Sequence, residues 1–348
     1  MSGIISMSDI RKVGSIGLKT VLYYLCTTAF AITFGLIDGN LFKGMFPMIA
    51  TTDLSYEAAE TTSFMDTLVN IFPSNFIDPL YSANMLQVIV MAILVGFAII
   101  LVGKEAQPVI TGVNSLNTVF MKCMEMILKL SPIGVFCLLC PVIAENGATI
   151  IGSLAMVLLT AYICYIVHAV VVYSIAVKTM GGMSPIKFFQ GMLPAIMFAF
   201  SSASSVGTLP INMECTQKLG ASKEVSSFVL PLGATINMDG TAIYQGVCAI
   251  FIAACYGIQL TFPQMITIVL TATLASIGTA GVPGAGMVML TMVLTSVGLP
   301  VEGVALVAGV DRIFDMGRTT VNITGDASCT VIVSNLEKKK EARKNKNA

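Results

Sequence analysis

Between Asp311 and Asp326 the chain places Asp311, Asp315, Arg318, Asn322 and Asp326 at steps of four, three, four and four residues. At about 100° per residue these five fall within a strip roughly 80° wide on one face of an α-helix. In a soluble protein such a stripe is an ordinary solvated face. In a bilayer it must face a partner, a cavity or a ligand. Arg318 is the group best suited to clamp an anion, because its planar fork matches a carboxylate. The bland alternative is an ion pair within the helix to Asp315 or Asp311. With Arg312 also present, one arginine is expected to balance a carboxylate while the other faces a ligand. Asp315 is then free for a ligand ammonium. A buried guanidinium beside a buried carboxylate suits a zwitterion that carries an extra acid group.

A second constellation is Asn237-Met238-Asp239-Gly240-Thr241. Its polar side chains are two apart, which makes no helical face, but in an unwound segment alternate residues point to one side. Asp239 is an anion deep in a hydrophobic run. A hard monovalent cation such as Na⁺ needs several oxygens, and Asp239, Asn237, Thr27, Thr28 and Asp326 could supply them. The alternative is a kinked helix with hydrogen-bonded polar residues. The single histidine, His168, lies on an apolar helix and reads as a packing residue. Cys137 and Cys140 have redox-motif spacing, but two small buried residues on one helix face is the stronger reading, since free Cys behaves as a small hydrophobe.

The elements that position these groups follow from composition. The chain has 348 residues, 55% hydrophobic and 11% charged, with zero formal net charge. Its mean hydropathy is +0.86. A soluble domain is about 25% charged. The class is therefore an all-α polytopic membrane protein. Nothing in the charge balance points to nucleic acid, and the nine scattered cysteines form no disulfide framework.

Residues 1–14 are a mildly polar cytoplasmic segment and 15–37 the first span. Residues 38–147 hold a long acidic connection and further helices, with a kink expected at Pro132. Residues 148–335 hold the polar constellations, and 336–348 a basic tail. Full spans are expected at 15–36, 84–102, 107–142, 150–177, 225–257 and 304–335. Two apolar stretches, 188–200 and 262–277, are too short to span. Each stops at a Gly, Ser and Pro tip and is followed by another short arm. Two broken segments in corresponding places are the mark of an inverted-repeat transporter, with its site where they meet. Non-helical backbone at that depth is tolerated only where it lines a cavity or is buried in protein. We therefore read two opposed re-entrant helical hairpins, at about 184–217 and 261–298. With both termini cytoplasmic, Arg11, Lys12, Lys19, Lys104, Lys178, Lys187, Lys218, Lys223 and the basic tail fall inside and Lys43 outside, in keeping with the positive-inside rule with one exception.

The serine-rich tip ending Gly207-Thr208-Leu209-Pro210, the run from Asn237 to Thr241, the tip from Ser276 to Gly286, and Asp315-Met316-Gly317-Arg318-Thr319 through Asp326 occur in that order. In this, over about residues 10–337, the chain resembles the dicarboxylate/amino acid:cation symporters, which include glutamate and aspartate:sodium symporters. The resemblance implies an inverted-repeat, glutamate-transporter-type fold with two opposed re-entrant helical hairpins, truncated at its N-terminus. It also implies the binding of an acidic amino acid, with Asp315 on its α-amino group and Arg318 on its side-chain carboxylate. Ser205, Thr241, Thr319, Asn322 and the backbone at Val282 would complete the substrate site.

The resemblance implies three sodium sites. Asp326, Asn322, Asn237 and the Gly233 carbonyl would form one. Tyr24, Thr27, Thr28, Asn237 and Asp239 would form a second. Thr235, Met238 and the carbonyls of Ser276, Ile277 and Thr279 would form a third. It further implies an elevator mechanism, a homotrimer, a multi-pass place in the cell (inner) membrane, and no enzymatic chemistry or organic cofactor beyond the co-transported Na⁺.

Against the family pattern, the chain begins where its relatives finish their second helix, so two N-terminal scaffold spans are expected to be absent. An arginine that relatives carry in the first tip, or beside the substrate aspartate, is replaced here by Ala203 and Met316. Arg312, one turn earlier, is the expected substitute. A proton-coupled or C4-dicarboxylate symporter is the nearest alternative. The latter leaves Asp315 without a partner. An intramembrane aspartyl hydrolase would require Asp239 and Asp326 to face each other, and a non-transporting fragment is a further alternative.

Overall fold

The computed structural model describes residues 10–46, 72–81, 85–129, 133, 149–276 and 284–347. Every regular element among them is helical. Four helical stretches are long and apolar enough to cross a membrane: Ile16–Met45, Val90–Phe120, Gly152–Thr179 and Lys223–Cys255. The chain is a helical membrane protein. The C-terminal helix, Asp311–Asn347, is long enough but is not among these four. Its polar stripe and basic end lower its hydropathy.

Helix α1 spans Ile10–Phe42. Thr20, Tyr24, Thr28, Ala31, Ile32 and Leu36 are buried at near-helical spacing, whereas Leu18, Leu22, Phe30, Ile37 and Leu41 are exposed. A 3₁₀ turn over Gly103–Ala106 joins α2 (Met85–Val102) to α3 (Gln107–Lys129). Gly103 adopts φ 74° there.

Helix α4 (Thr149–Val167) runs through a π-helical turn, His168–Tyr173, into α5 (Ser174–Thr179). Two pairs of helices in mutual contact follow. The first is α6 (Pro185–Ser202) with α7 (Ser205–Lys218), which pack on each other. Ala203 ends α6 at φ 52°, and the Ser204 hydroxyl accepts from the Gly207 amide, which caps α7. The second pair is α10 (Phe262–Ala275) and α11 (Ala285–Ser296), also in mutual contact. A capping box between Thr261 and Gln264 starts α10.

Between the pairs lie α8 (Lys223–Ile236) and α9 (Asp239–Cys255). Helix α9 is buried on nearly every face, as a helix that is apolar all round must be. It packs chiefly against α1. Gly35, Gly39 and Gly246 allow this approach: a Cβ on Gly35 would lie 2.8 Å from the Ile243 carbonyl oxygen, and one on Gly246 would lie 2.9 Å from the Leu36 nitrogen. Gly35 and Gly39 are four apart, the small-xxx-small spacing that brings membrane helices close. After the short α12 (Val304–Ala308) comes α13 (Asp311–Asn347). It packs against α6, α7, α8, α9, α1 and α4.

Pro132, Cys137 and Cys140, most of the acidic connection, and the site residues Ile277, Thr279 and Val282 lie outside the described residues.

Candidate functional site

Helix α13 faces its whole polar stripe inward. Asp311, Asp315, Arg318, Asn322 and Asp326 are each 5% exposed or less. Arg318 Nε donates to Asp315 Oδ1 at 2.8 Å. Its Nη1 and Nη2 donate to the two oxygens of Asp311 at 2.8 and 3.2 Å. The guanidinium carbon lies 4.7 Å from the centre of the Tyr244 ring, a cation–π distance. The Gly284 amide, at the start of α11, donates to Asp315 Oδ2 at 3.1 Å. Gly286 presses on the guanidinium so closely that a Cβ there would overlap it.

The expected division between the two arginines is not what the structure shows. Arg318 pairs with both Asp311 and Asp315. Arg312 balances no carboxylate among the described residues; its Nη2 reaches the Ser201 and Ser202 carbonyls at 3.2 and 3.4 Å. These are the last carbonyls of α6, which a cation at a helix C-terminus satisfies. The one guanidinium at the centre therefore serves two buried carboxylates. With both ionised, the Asp311–Arg318–Asp315 cluster carries one excess negative charge, which attracts an ammonium.

One turn further along α13, the break between α8 and α9 is repaired by side chains. Asn237 and Met238 leave helical geometry, with ψ of 105° and 42°. A break strands amides and carbonyls that water cannot reach. Asn322 Oδ1 accepts from the Gly240 amide at 2.8 Å, and its Nδ2 lies 3.3 Å from Thr241 Oγ1. Asn237 Nδ2 donates to the Asn322 carbonyl and to Asp326 Oδ1, both at 2.9 Å. A Cβ on Gly240 would collide with the Arg318 backbone, so α9 starts flush against α13.

Two oxygen clusters flank this break. In one, Asp239 is fully buried. Its Oδ1 accepts from Thr28 at 2.7 Å and Thr27 at 3.2 Å, and its Oδ2 from the Tyr173 hydroxyl at 2.8 Å. In the other, Gly233 lies against both Asp326 Oδ1 and the Tyr24 hydroxyl. The structure thus groups Tyr24 with Asp326 and Gly233, whereas the family resemblance places it with Asp239. Asn237 Oδ1 is a buried acceptor without a hydrogen-bond partner. Among the described residues no Lys or Arg pairs with Asp239 or Asp326. Buried carboxylates without a cation are costly. Hard oxygens with a spare acceptor fit a hard cation such as Na⁺.

Ser205, Thr241 and Thr319 are buried, Ser205 as the first residue of α7 and Thr319 next to Arg318. Of the third expected oxygen set, Thr235 Oγ1 donates to the Leu232 carbonyl at 3.0 Å and Ser276 Oγ to the Thr273 carbonyl at 2.7 Å. The Met238 sulfur accepts from Asn322 Nδ2 at 3.3 Å. Ile277 and Thr279 lie outside the described residues. Sequence reasoning missed Tyr173, Tyr244 and Gly286. No spacing rule singles them out, because each reaches the site through packing between helices.

Comparison with known proteins agrees with this arrangement. A family model described as the sodium:dicarboxylate symporter family matches residues 1–336. The "Proton/sodium-glutamate symport protein" of Bacillus subtilis (strain 168) is 35% identical over 344 residues, covering 96% of this chain and 80% of that protein. The "Proton/glutamate-aspartate symporter" of Escherichia coli (strain K12) is 34% identical, covering 98% and 81%. The human "Excitatory amino acid transporter 2" is 32% identical, covering 95% and 68%. A stripe of buried charge on α13, two broken helical pairs around it and a match along nearly the whole chain lead to one conclusion: the chain belongs to the sodium:dicarboxylate symporter family.

Proposed function

We propose that this protein is a secondary active symporter that carries acidic amino acids, L-aspartate or L-glutamate, across the membrane with Na⁺. The observation that carries the reading is Arg318, fully buried and shared by Asp311 and Asp315 beside two oxygen clusters, each built on one buried carboxylate. A ligand carboxylate takes the guanidinium fork. Asp315, released from Arg318, takes the ligand ammonium. Ser205, Thr241, Thr319, Asn322 and the backbone at Val282 complete the pocket. Na⁺ binds among Asp326, Asn237, Asn322, Tyr24 and the Gly233 carbonyl, and among Asp239, Thr27, Thr28 and Asn237. A third ion site takes Thr235, Met238 and the carbonyls of Ser276, Ile277 and Thr279.

Asn322 joins the two functions. Its side chain holds the start of α9, and its carbonyl holds Asn237 and through it Asp326. It sits one turn from Arg318. Filling either site therefore orders groups used by the other, so that each ligand raises the affinity of the other. The two broken pairs act as opposed re-entrant hairpins, α10–α11 being the outer gate, and the unit moves as an elevator within a homotrimer. The names of the bacterial relatives include the proton, which makes H⁺ coupling the second reading.

Reconstituted proteoliposomes test this directly. Radiolabelled aspartate should accumulate under an inward Na⁺ gradient, glutamate should compete and succinate should not. Accumulation driven by a proton gradient without Na⁺, or efficient competition by succinate, would overturn the sodium and amino acid assignments respectively.

A further inference from the structure

His168 is fully buried, yet neither ring nitrogen has a hydrogen-bond partner. Its Nε2 lies 3.5 Å from Asp239 Oδ2, just beyond hydrogen-bond range. The same oxygen accepts from Tyr173. These two residues are the first and last of the π-helical turn. In an α-helix, residues five apart point about 140° away from each other. The wider i→i+5 turn brings them onto one face. Here their rings meet edge to face at 5.0 Å, 88° apart, and both address one carboxylate oxygen. The other oxygen of Asp239 is held by Thr27 and Thr28 on α1.

We infer that the π-helical turn is a positioning device for the cation site at Asp239, in which His168 and Tyr173 orient the carboxylate and thereby set its sodium affinity. The inference rests on the proposed sodium coupling. An α-helical turn would leave one of the two residues facing lipid or a neighbouring helix. The π-turn adds a residue's worth of rotation and aims both polar tips at Oδ2. Outer groups that orient a metal ligand change affinity by about 10–100-fold when removed. The competing role for His168 is packing alone, against Tyr173 and Phe30, whose ring lies at 6.2 Å.

The test uses the purified full chain. Its thermal unfolding is followed against NaCl, with choline chloride holding ionic strength constant and no amino acid present. Aspartate uptake at saturating Na⁺ is measured in parallel. His168→Leu and Tyr173→Phe should each raise the Na⁺ concentration for half-maximal stabilisation about tenfold, with a much smaller rise in the aspartate KM once Na⁺ is saturating. His168→Gln, which keeps an N–H donor, should recover most of the loss. A lower melting temperature with an unmoved Na⁺ requirement would leave His168 a packing residue and overturn the inference. If His168→Leu does not fold, an unmoved requirement in both His168→Gln and Tyr173→Phe overturns it equally. An unaltered protein that shows no Na⁺-dependent stabilisation would sink the sodium reading itself, and the inference with it.

Discussion

Under the proposed function, Arg318 is the single residue on which ligand recognition turns. Its three hydrogen bonds to Asp311 and Asp315 form a closed buried network. Removing one partner of such a network leaves uncompensated charge and costs about 3–5 kcal/mol. Arg318→Met should therefore reduce the yield of folded protein, which alone would say little about the ligand. Arg318→Lys is the more informative change. It keeps one charge between the two aspartates but loses the fork that engages two carboxylates at once. We expect it to remain a single species on size-exclusion chromatography while aspartate uptake falls by about two orders of magnitude, roughly 3 kcal/mol of ligand recognition. Uptake close to that of the unaltered protein would remove Arg318 from the ligand site and leave it a structural ion pair.

The elements owe their positions to close approach more than to side-chain bulk. Helices α1 and α9 meet where Gly35 and Gly246 expose backbone to backbone. Without a hydrophobic force between helices in lipid, that contact rests on dispersion and weak polar contacts at short range. This packing also delivers Thr27 and Thr28 to Asp239, about two turns back along α1 from Gly35. Gly35→Val would drive a branched side chain into the Ile243 carbonyl. The expected cost is about 1–3 kcal/mol, read as a lower melting temperature in detergent, with a weaker Na⁺ response as α1 moves outward. A melting curve and Na⁺ response both unchanged would show that α1 and α9 have slack at this crossing.

Across the whole molecule, charge distribution sets orientation. The basic residues at 338–340 lie in the C-terminal part of α13, where Lys338 donates to the Gly220 carbonyl at 2.6 Å. Near the other end of the chain, Lys19 on α1 pairs with Glu337 at 2.6 Å. The start of α1 and the C-terminal part of α13 therefore lie on one side, which we propose, on the positive-inside rule, faces the cytoplasm. A green fluorescent protein fused after Ala348 should fluoresce, and an alkaline phosphatase fused there should be inactive. Active phosphatase would invert the orientation and with it the assignment of α10–α11 as the outer gate.

Composition by itself determined the class of this protein, because so few charges over so many apolar residues can only be satisfied by helices in lipid. Spacing determined the stripe on α13, since five polar residues at helical intervals must share a face whatever packs on them. The ordered tips and the Asn237-to-Thr241 run were legible for the same local reason: Gly, Pro, Ser and Asn break helices where they stand. What lay beyond spacing was the partner of each group. The tertiary structure alone decided that Arg318 serves both Asp311 and Asp315, that Arg312 caps α6 at Ser201 and Ser202, and that Tyr24 sits with Asp326. It alone turned His168 from an isolated apolar-face histidine into a neighbour of Asp239. The π-helical turn brings His168 and Tyr173 to Asp239 on α9, and no local sequence rule encodes a contact made between helices far apart in the chain.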